Sequence, residues 1–272
     1  MKMLNGENQK DIDYQKNIIL DADGVLMNLH EVLEMTLCET YPSFSINNIK
    51  SYDFNKMLKN NSHMVKELYG IDFFEKFNKD ENLMLGVPRQ EILRLLGDRK
   101  IYDQSTPYPN VIECLESLAE KGVLFTIHSQ GMTKEVCDSK LEFLYHYFGR
   151  IPNINIQISL GNNKPVLIGD AIVEDNPLAI VNYYNVYKNF KRNIKIEKYL
   201  IDMPYNQGNV YQFLLATEKE TTSKNYFPID AIATRVPNLI SALKDIFPTM
   251  DFSNFEGINY IYKNAFNKKI SN

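Results

Sequence analysis

Asn17-Ile18-Ile19-Leu20-Asp21-Ala22-Asp23-Gly24 is the stretch from which the fold can be read. A short apolar run stops at two acids spaced two apart, followed by a glycine. Such a run, bounded by turn residues, reads as a buried strand that ends in a polar turn. The same pattern recurs downstream. Val123–Ile127 runs into His128-Ser129-Gln130-Gly131, and Pro165–Val173 runs into Glu174-Asp175-Asn176-Pro177. Ile154–Ile158 and Tyr199–Ile201 supply further strands, and Ile229–Ala233 a short one. Between them lie helical patterns. Asn110–Lys121 carries Val111, Ile112, Leu115 and Leu118 on one face and stops at Gly122. Lys134–Tyr147, Pro177–Phe190 and Val236–Phe247 read as helices too. Strands alternating with helices predict a Rossmann-like α/β fold, a parallel sheet with helices on both faces.

Outward from this core, residues 29–107 separate the first two strands, far more than a crossover needs. Their pattern is mostly helical, as at Ser62–Leu68 and Pro88–Leu96, and predicts an inserted small helical cap. The expected organisation is a flexible tail over 1–15, a core over 16–28 and 108–247, the cap over 29–107, and a C-terminal extension over 248–272. The chain has 272 residues, 44% hydrophobic and 24% charged, which excludes a disordered or fibrous protein. A net charge of −4 disfavours a nucleic-acid partner. Three widely spaced cysteines, Cys38, Cys114 and Cys137, form no CxxC pair, so a disulfide framework and a zinc site are disfavoured. The polar first sixteen residues and the lack of a long apolar run predict a cytoplasmic chain with no membrane span. No Walker-type loop and no GxGxxG occurs.

In open α/β sheets, ligands bind at the carboxyl ends of the strands. Asp21, Asp23, Ser129, Glu174 and Asp175 are expected there, with Lys164 just before a strand. Hard oxygen donors without a His or Cys cluster suit Mg²⁺. Phosphoryl transfer needs a nucleophile, a metal on the phosphate oxygens and a cation to offset charge. Asp21 could attack, Asp23 could act as general acid and base, Ser129 could hold a phosphate oxygen and Lys164 could neutralise charge. Asp175 could ligate the metal, with Asp170 as its rival. Blander readings stand beside these. Asp23-Gly24 could be turn chemistry only, and Glu174–Pro177 could be a helix entry. Lys134 and Lys140 rival Lys164; Lys134 is expected on a solvated helix face, and Lys140 could help bind phosphate, although a bland role reads first. His128 reads as a core histidine, and the pairs Phe73-Phe74 and Tyr183-Tyr184 read as packing.

Asp21-Ala22-Asp23-Gly24-Val25-Leu26 after an apolar strand resembles the first motif of the haloacid dehalogenase superfamily. Ser129 resembles its second motif, Lys164 its third and Glu174-Asp175 its fourth. The aspartate at position 23 is similar to the phosphatase branch. The resemblance implies Mg²⁺ on Asp21, the backbone carbonyl of Asp23, and Asp175. The segment from Lys164 to Pro177 resembles the 5′(3′)-deoxyribonucleotidases, as do Pro204-Tyr205-Asn206 and Tyr147-Phe148-Gly149. The chain departs from that branch at Glu174, where it has aspartate, at His128, where it has threonine, and at Leu29, where it has an aromatic residue. Tyr102 falls where an aromatic cap residue contacting substrate is expected. The resemblance thus implies a Mg²⁺-dependent phosphomonoesterase for a small phosphorylated metabolite, with a deoxynucleoside monophosphate first. The alternatives are a phosphatase for a sugar or other small phosphate, and a non-catalytic phosphate-binding module.

Overall fold

The first strand, β1 (Asn17–Leu20), is buried along its apolar length, with Ile18, Ile19 and Leu20 at most 1% exposed. Successive strand residues face opposite sides of a sheet, so both faces here are covered. The computed structural model describes residues 16–40, 89–131, 133–161, 164–189, 195–203, 212–214 and 226–255. The other strands are β2 (Leu124–Gly131), β3 (Ile154–Leu160), β4 (Ala171–Glu174), β5 (Glu197–Ile201), β6 (Gln212–Leu214), β7 (Tyr226–Pro228) and β8 (Thr234–Val236). Six of them form one sheet in the order β3-β2-β1-β4-β5-β8, with every neighbouring pair parallel. The expected α/β fold is therefore present. The order runs outward in both directions from β1 and β4, so a topological switch point lies between these two strands. That is where such sheets open a crevice at their carboxyl ends.

Helices α1 (Leu29–Thr40), α2 (Arg89–Leu96), α3 (Arg99–Gln104), α4 (Val111–Glu120), α5 (Lys134–Phe148), α6 (Pro177–Asn189) and α7 (Leu239–Ile246) accompany the sheet. On α4, Val111, Cys114, Leu115, Leu118 and Ala119 are buried, the spacing of one helical face. Thr133 caps α5 by accepting from the Val136 N–H at 3.2 Å. Within the region expected as the cap, α1 buries Leu29, Val32, Leu33 and Leu37 in the same apolar cluster as the sheet. The Tyr108 hydroxyl donates to Glu31 at 2.8 Å and ties α1 to the chain entering α4. The tail 1–15, the helix expected at 62–68, the rest of the insert over 41–88, Pro204-Tyr205-Asn206 and residues 256–272 lie outside the described residues. Among the described residues, no helix is long and apolar enough to cross a membrane.

Several expected boundaries differ. β2 does not end at Ile127 but continues to Gly131, because β3 pairs with it as far as Gly131↔Leu160. Only residues 171–174 of the apolar stretch 165–173 and its sequel are strand. Ile229–Ala231 is a 3₁₀ turn, and the strand comes later, at Thr234–Val236. Val236 pairs with Ile201, so α7 cannot start there. It starts at Leu239, where the Asn238 side chain accepts from the Ser241 N–H at 2.8 Å. The antiparallel β6–β7 pair has no counterpart in the expected elements.

Candidate active site

The register of the sheet brings the candidates together. Leu20 pairs with Ile127 on one side and Val173 on the other. One step on, Asp21 is therefore level with His128 and Glu174. The Asp21 N–H still donates to the Val173 carbonyl at 3.0 Å, which anchors it to the sheet. Asp21 is 8% exposed, Glu174 1% and Asp175 4%. Carboxylate oxygens of these three all lie within 4.8 Å of one another. The Lys164 ammonium bridges two of them, 2.7 Å from Asp21 Oδ1 and 2.8 Å from Glu174 Oε2.

The loop after β1 turns tightly. The N–H groups of Leu26 and Met27 both donate to the Ala22 carbonyl, at 2.9 and 3.1 Å. Gly24 sits at φ +71°, the left-handed region that favours glycine. Its missing side chain also makes room for Asp175. A Cβ there would lie 2.5 Å from Asp175 Oδ2 and 3.0 Å from its Cγ. The turn thus holds the Asp175 carboxylate against the loop that carries Asp21 and Asp23.

A second cluster adjoins the first. Lys140 of α5 is 6% exposed. Its ammonium donates to Asp23 Oδ2, to Ser129 Oγ at 3.2 Å and to the Gln130 carbonyl at 2.7 Å. Asp23 Oδ1 is buried and has no partner. Ser129 lies inside β2, two residues beyond the end of its pairing with β1, and is 1% exposed.

Charge differs sharply across the site. Burial by itself raises the Asp21 pKa, but Lys164, Lys140 and the Ala22 N–H outweigh it and hold the carboxyl below its ordinary value. Glu174 is pushed the other way, well above the ordinary range, by burial and by the Asp21 charge. Lys164 is raised despite its burial, because Asp21 and Glu174 both favour its charged form. Two of the three clustered carboxylates share one lysine here, and the donors are all hard oxygens. That set fits a divalent cation such as Mg²⁺.

Asp170 separates from this group, whereas Tyr102 and His128 are buried within electrostatic reach of it. Asp170 accepts from the Asn17 N–H at 2.7 Å, which places it at the start of β1, at the opposite end of the sheet from Asp21. Asp175, not Asp170, joins the acidic cluster. Tyr102 is 2% exposed, its hydroxyl donates to the Leu96 carbonyl at 2.9 Å and its ring packs near Phe143. His128 is buried, with Nε2 2.8 Å from Ser159 Oγ and Nδ1 without a partner. Burial and the nearby Lys164 charge lower its pKa to about 4, so the ring is neutral at pH 7.

Lys140, which reads from the sequence as a bland lysine sooner than a phosphate ligand, is buried in the site. Its spacing carries the signal. Val136, Phe143 and Leu144 stand four before, three after and four after it, and all are buried. A lysine on the apolar stripe of an amphipathic helix is out of place unless a carboxylate meets it. Glu174 is the other residue whose weight was not anticipated, since it shares Lys164 with Asp21.

No curated protein matches the chain. Among solved structures, a candidate β-phosphoglucomutase from Thermotoga maritima is similar over 86% of this chain and 100% of its own, at 16% identity and a TM-score of 0.44. For a candidate phosphatase from Clostridium difficile the shares are 71% and 86%, with 18% identity and a TM-score of 0.41. L-2-haloacid dehalogenase from Xanthobacter autotrophicus, with chloropropionic acid covalently bound, is similar over 87% and 99%, at 15% identity and a TM-score of 0.41. The profile of the haloacid dehalogenase-like hydrolases matches residues 15–171, more than half of the chain and the segment that carries Asp21, Asp23, Ser129, Lys140 and Lys164. The chain belongs to the haloacid dehalogenase-like hydrolase family.

Proposed function

We propose that the protein is a Mg²⁺-dependent phosphomonoesterase that works through an aspartyl-phosphate on Asp21. The observation that carries this reading is the division of labour between two adjacent aspartates. Asp21 is held below its ordinary pKa beside Lys164, whereas Asp23 keeps one buried oxygen without a partner. An ionised carboxylate suits a nucleophile, and an oxygen free of other bonds suits proton transfer. The Asp21 carboxylate attacks phosphorus and the P–O bond to the leaving alcohol breaks. Protonated Asp23 gives its proton to the departing oxygen. Asp23 then takes a proton from water as that water attacks the phosphorus. The acyl-phosphate bond breaks, inorganic phosphate leaves and both aspartates return to their starting states.

Asp21, Asp175 and the backbone carbonyl of Asp23 would hold the metal, with Glu174 close by. When bound, Mg²⁺ supplies charge stabilisation to the phosphoryl oxygens. Ser129 binds a phosphoryl oxygen, and Lys164 offsets charge on nucleophile and phosphate. The cap expected over residues 29–107 would, by covering the site, select a small phosphorylated metabolite. The segment Lys164–Pro177, with its likeness to the 5′(3′)-deoxyribonucleotidases, makes a deoxynucleoside monophosphate the first substrate to try. Leu29 in place of an aromatic residue keeps a sugar phosphate as the second.

The test is phosphate release from a panel of nucleoside monophosphates and sugar phosphates, with and without Mg²⁺. Mg²⁺-dependent release supports the reading, and the ranking within the panel names the substrate class. A Mg²⁺-linked thermal shift with no hydrolysis of any ester would replace it with a phosphate-binding module.

A further inference from the structure

We propose that Lys140 is a positioning residue for Asp23 and Ser129, fixing which oxygen of each does chemistry. This rests on the phosphomonoesterase reading above. An ammonium has three protons to donate and accepts none. All three are taken up, by Asp23 Oδ2, Ser129 Oγ and the Gln130 carbonyl. Lys140 therefore has none left for a substrate phosphate, in contrast to a simple anion-binding lysine.

Two consequences follow from where those bonds go. Oδ2 of Asp23 is engaged and Oδ1 is buried without a partner, so Oδ1 is the oxygen left to meet the leaving group or water. The Ser129 oxygen accepts from Lys140, so its own O–H is left to donate to a phosphoryl oxygen. The third bond, to a carbonyl within β2, ties this arrangement to the sheet. Asp23 lies on a loop, and the lysine couples that loop to the rigid strand carrying Ser129. Burying a lysine on the apolar stripe of α5 is costly unless its charge is met, so solubility does not account for it.

The experiment is a double-mutant cycle with p-nitrophenyl phosphate and Mg²⁺, using wild type, Lys140→Met, Asp23→Asn and the double variant. Lys140→Met should lower kcat by roughly 10–100-fold and change KM by less than about threefold. If the lysine acts through Asp23 and Ser129, the double variant should lose clearly less than the product of the two single losses. Losses that multiply would overturn the positioning role. So would a raised KM with unchanged kcat, which would make Lys140 a direct phosphate ligand. Should Lys140→Met not fold, Lys140→Gln, which keeps a donor and most of the stem, takes its place in the same cycle. Wild type that hydrolyses no ester overturns the parent reading and this proposal together. Wild type that turns over while the losses multiply overturns this proposal alone.

Discussion

Gly24→Ala probes the packing that the acidic cluster depends on. The new Cβ would stand 2.5 Å from Asp175 Oδ2, about 0.9 Å short of the 3.4 Å at which ordinary contact begins. Asp175 is 4% exposed and Met203 Cε closes the same space at 3.2 Å, so the carboxylate has little room to yield. The left-handed backbone at φ +71° adds roughly 1–2 kcal/mol for an alanine. Overpacking adds roughly 1–3 kcal/mol, so a loss of about 2–5 kcal/mol is expected in urea unfolding. The functional effect is larger in kind. Metal–ligand distances tolerate shifts of about 0.2 Å, and Mg²⁺ demands near-ideal octahedral geometry. A carboxylate pushed by several times that tolerance should raise the Mg²⁺ concentration for half-maximal phosphate release at least about tenfold, near 1.4 kcal/mol. Lost stability with unchanged Mg²⁺ dependence would refute Asp175 as a metal ligand. If neither quantity changes, the close packing of Gly24 on Asp175 is refuted.

Further expectations follow from other buried groups. His128 titrates near 4 when folded, against 6.5 unfolded, so the unfolded chain binds more protons between those values and stability falls as pH drops through that window. Between pH 7 and 4.5 this amounts to roughly 2–3 kcal/mol, and His128→Gln should flatten the slope in a denaturation series; equal slopes in both proteins would contradict it. Lys164→Met leaves Asp21 and Glu174 facing each other without their cation, which should cost about 3–5 kcal/mol at pH 7 in chemical denaturation. A loss below about 1 kcal/mol would show that the bridge is not formed in solution. Cys114 is fully buried and its thiol is pushed up to about 12, so it should resist alkylation at pH 8 until the protein unfolds. Mass mapping of labelled cysteines reads this directly.

How far the sequence went is clearest at particular residues. The run from Asn17 to Gly24 announced a strand and its acidic turn, because a buried parallel strand is a continuous apolar run and its end is chemically abrupt. Ser129 and Asp175 could be placed near Asp21 once strand order was assumed, since parallel strands gather their carboxyl ends on one side, whereas Lys164, which precedes its strand, was placed by the family resemblance alone. Asp170 could not be separated from Asp175 by pattern. Both adjoin the same apolar run, and only the register puts one at each end of the sheet. Lys140 was missed for a different reason. Its partner Asp23 is 117 residues away, and long-range ion pairs leave no local trace beyond a charge on an apolar stripe. The end of β2 was likewise set by its partner, since pairing with β3 carries it through polar His128-Ser129-Gln130. Val236 was read into a helix because a three-residue edge strand and a helix turn look alike in so short a window.

The central claim is covalent phosphate on Asp21, and one measurement addresses it directly. Asp23→Asn, mixed with Mg²⁺ and a hydrolysable phosphomonoester, is quenched in acid and reduced with borohydride, and its peptides are sequenced by mass spectrometry. Loss of the general base should let the acyl phosphate accumulate, and reduction should mark Asp21 alone. The mark should be absent from Asp21→Asn/Asp23→Asn. Phosphate released by the wild type with no mark at Asp21, or with the mark on another residue, would contradict the account.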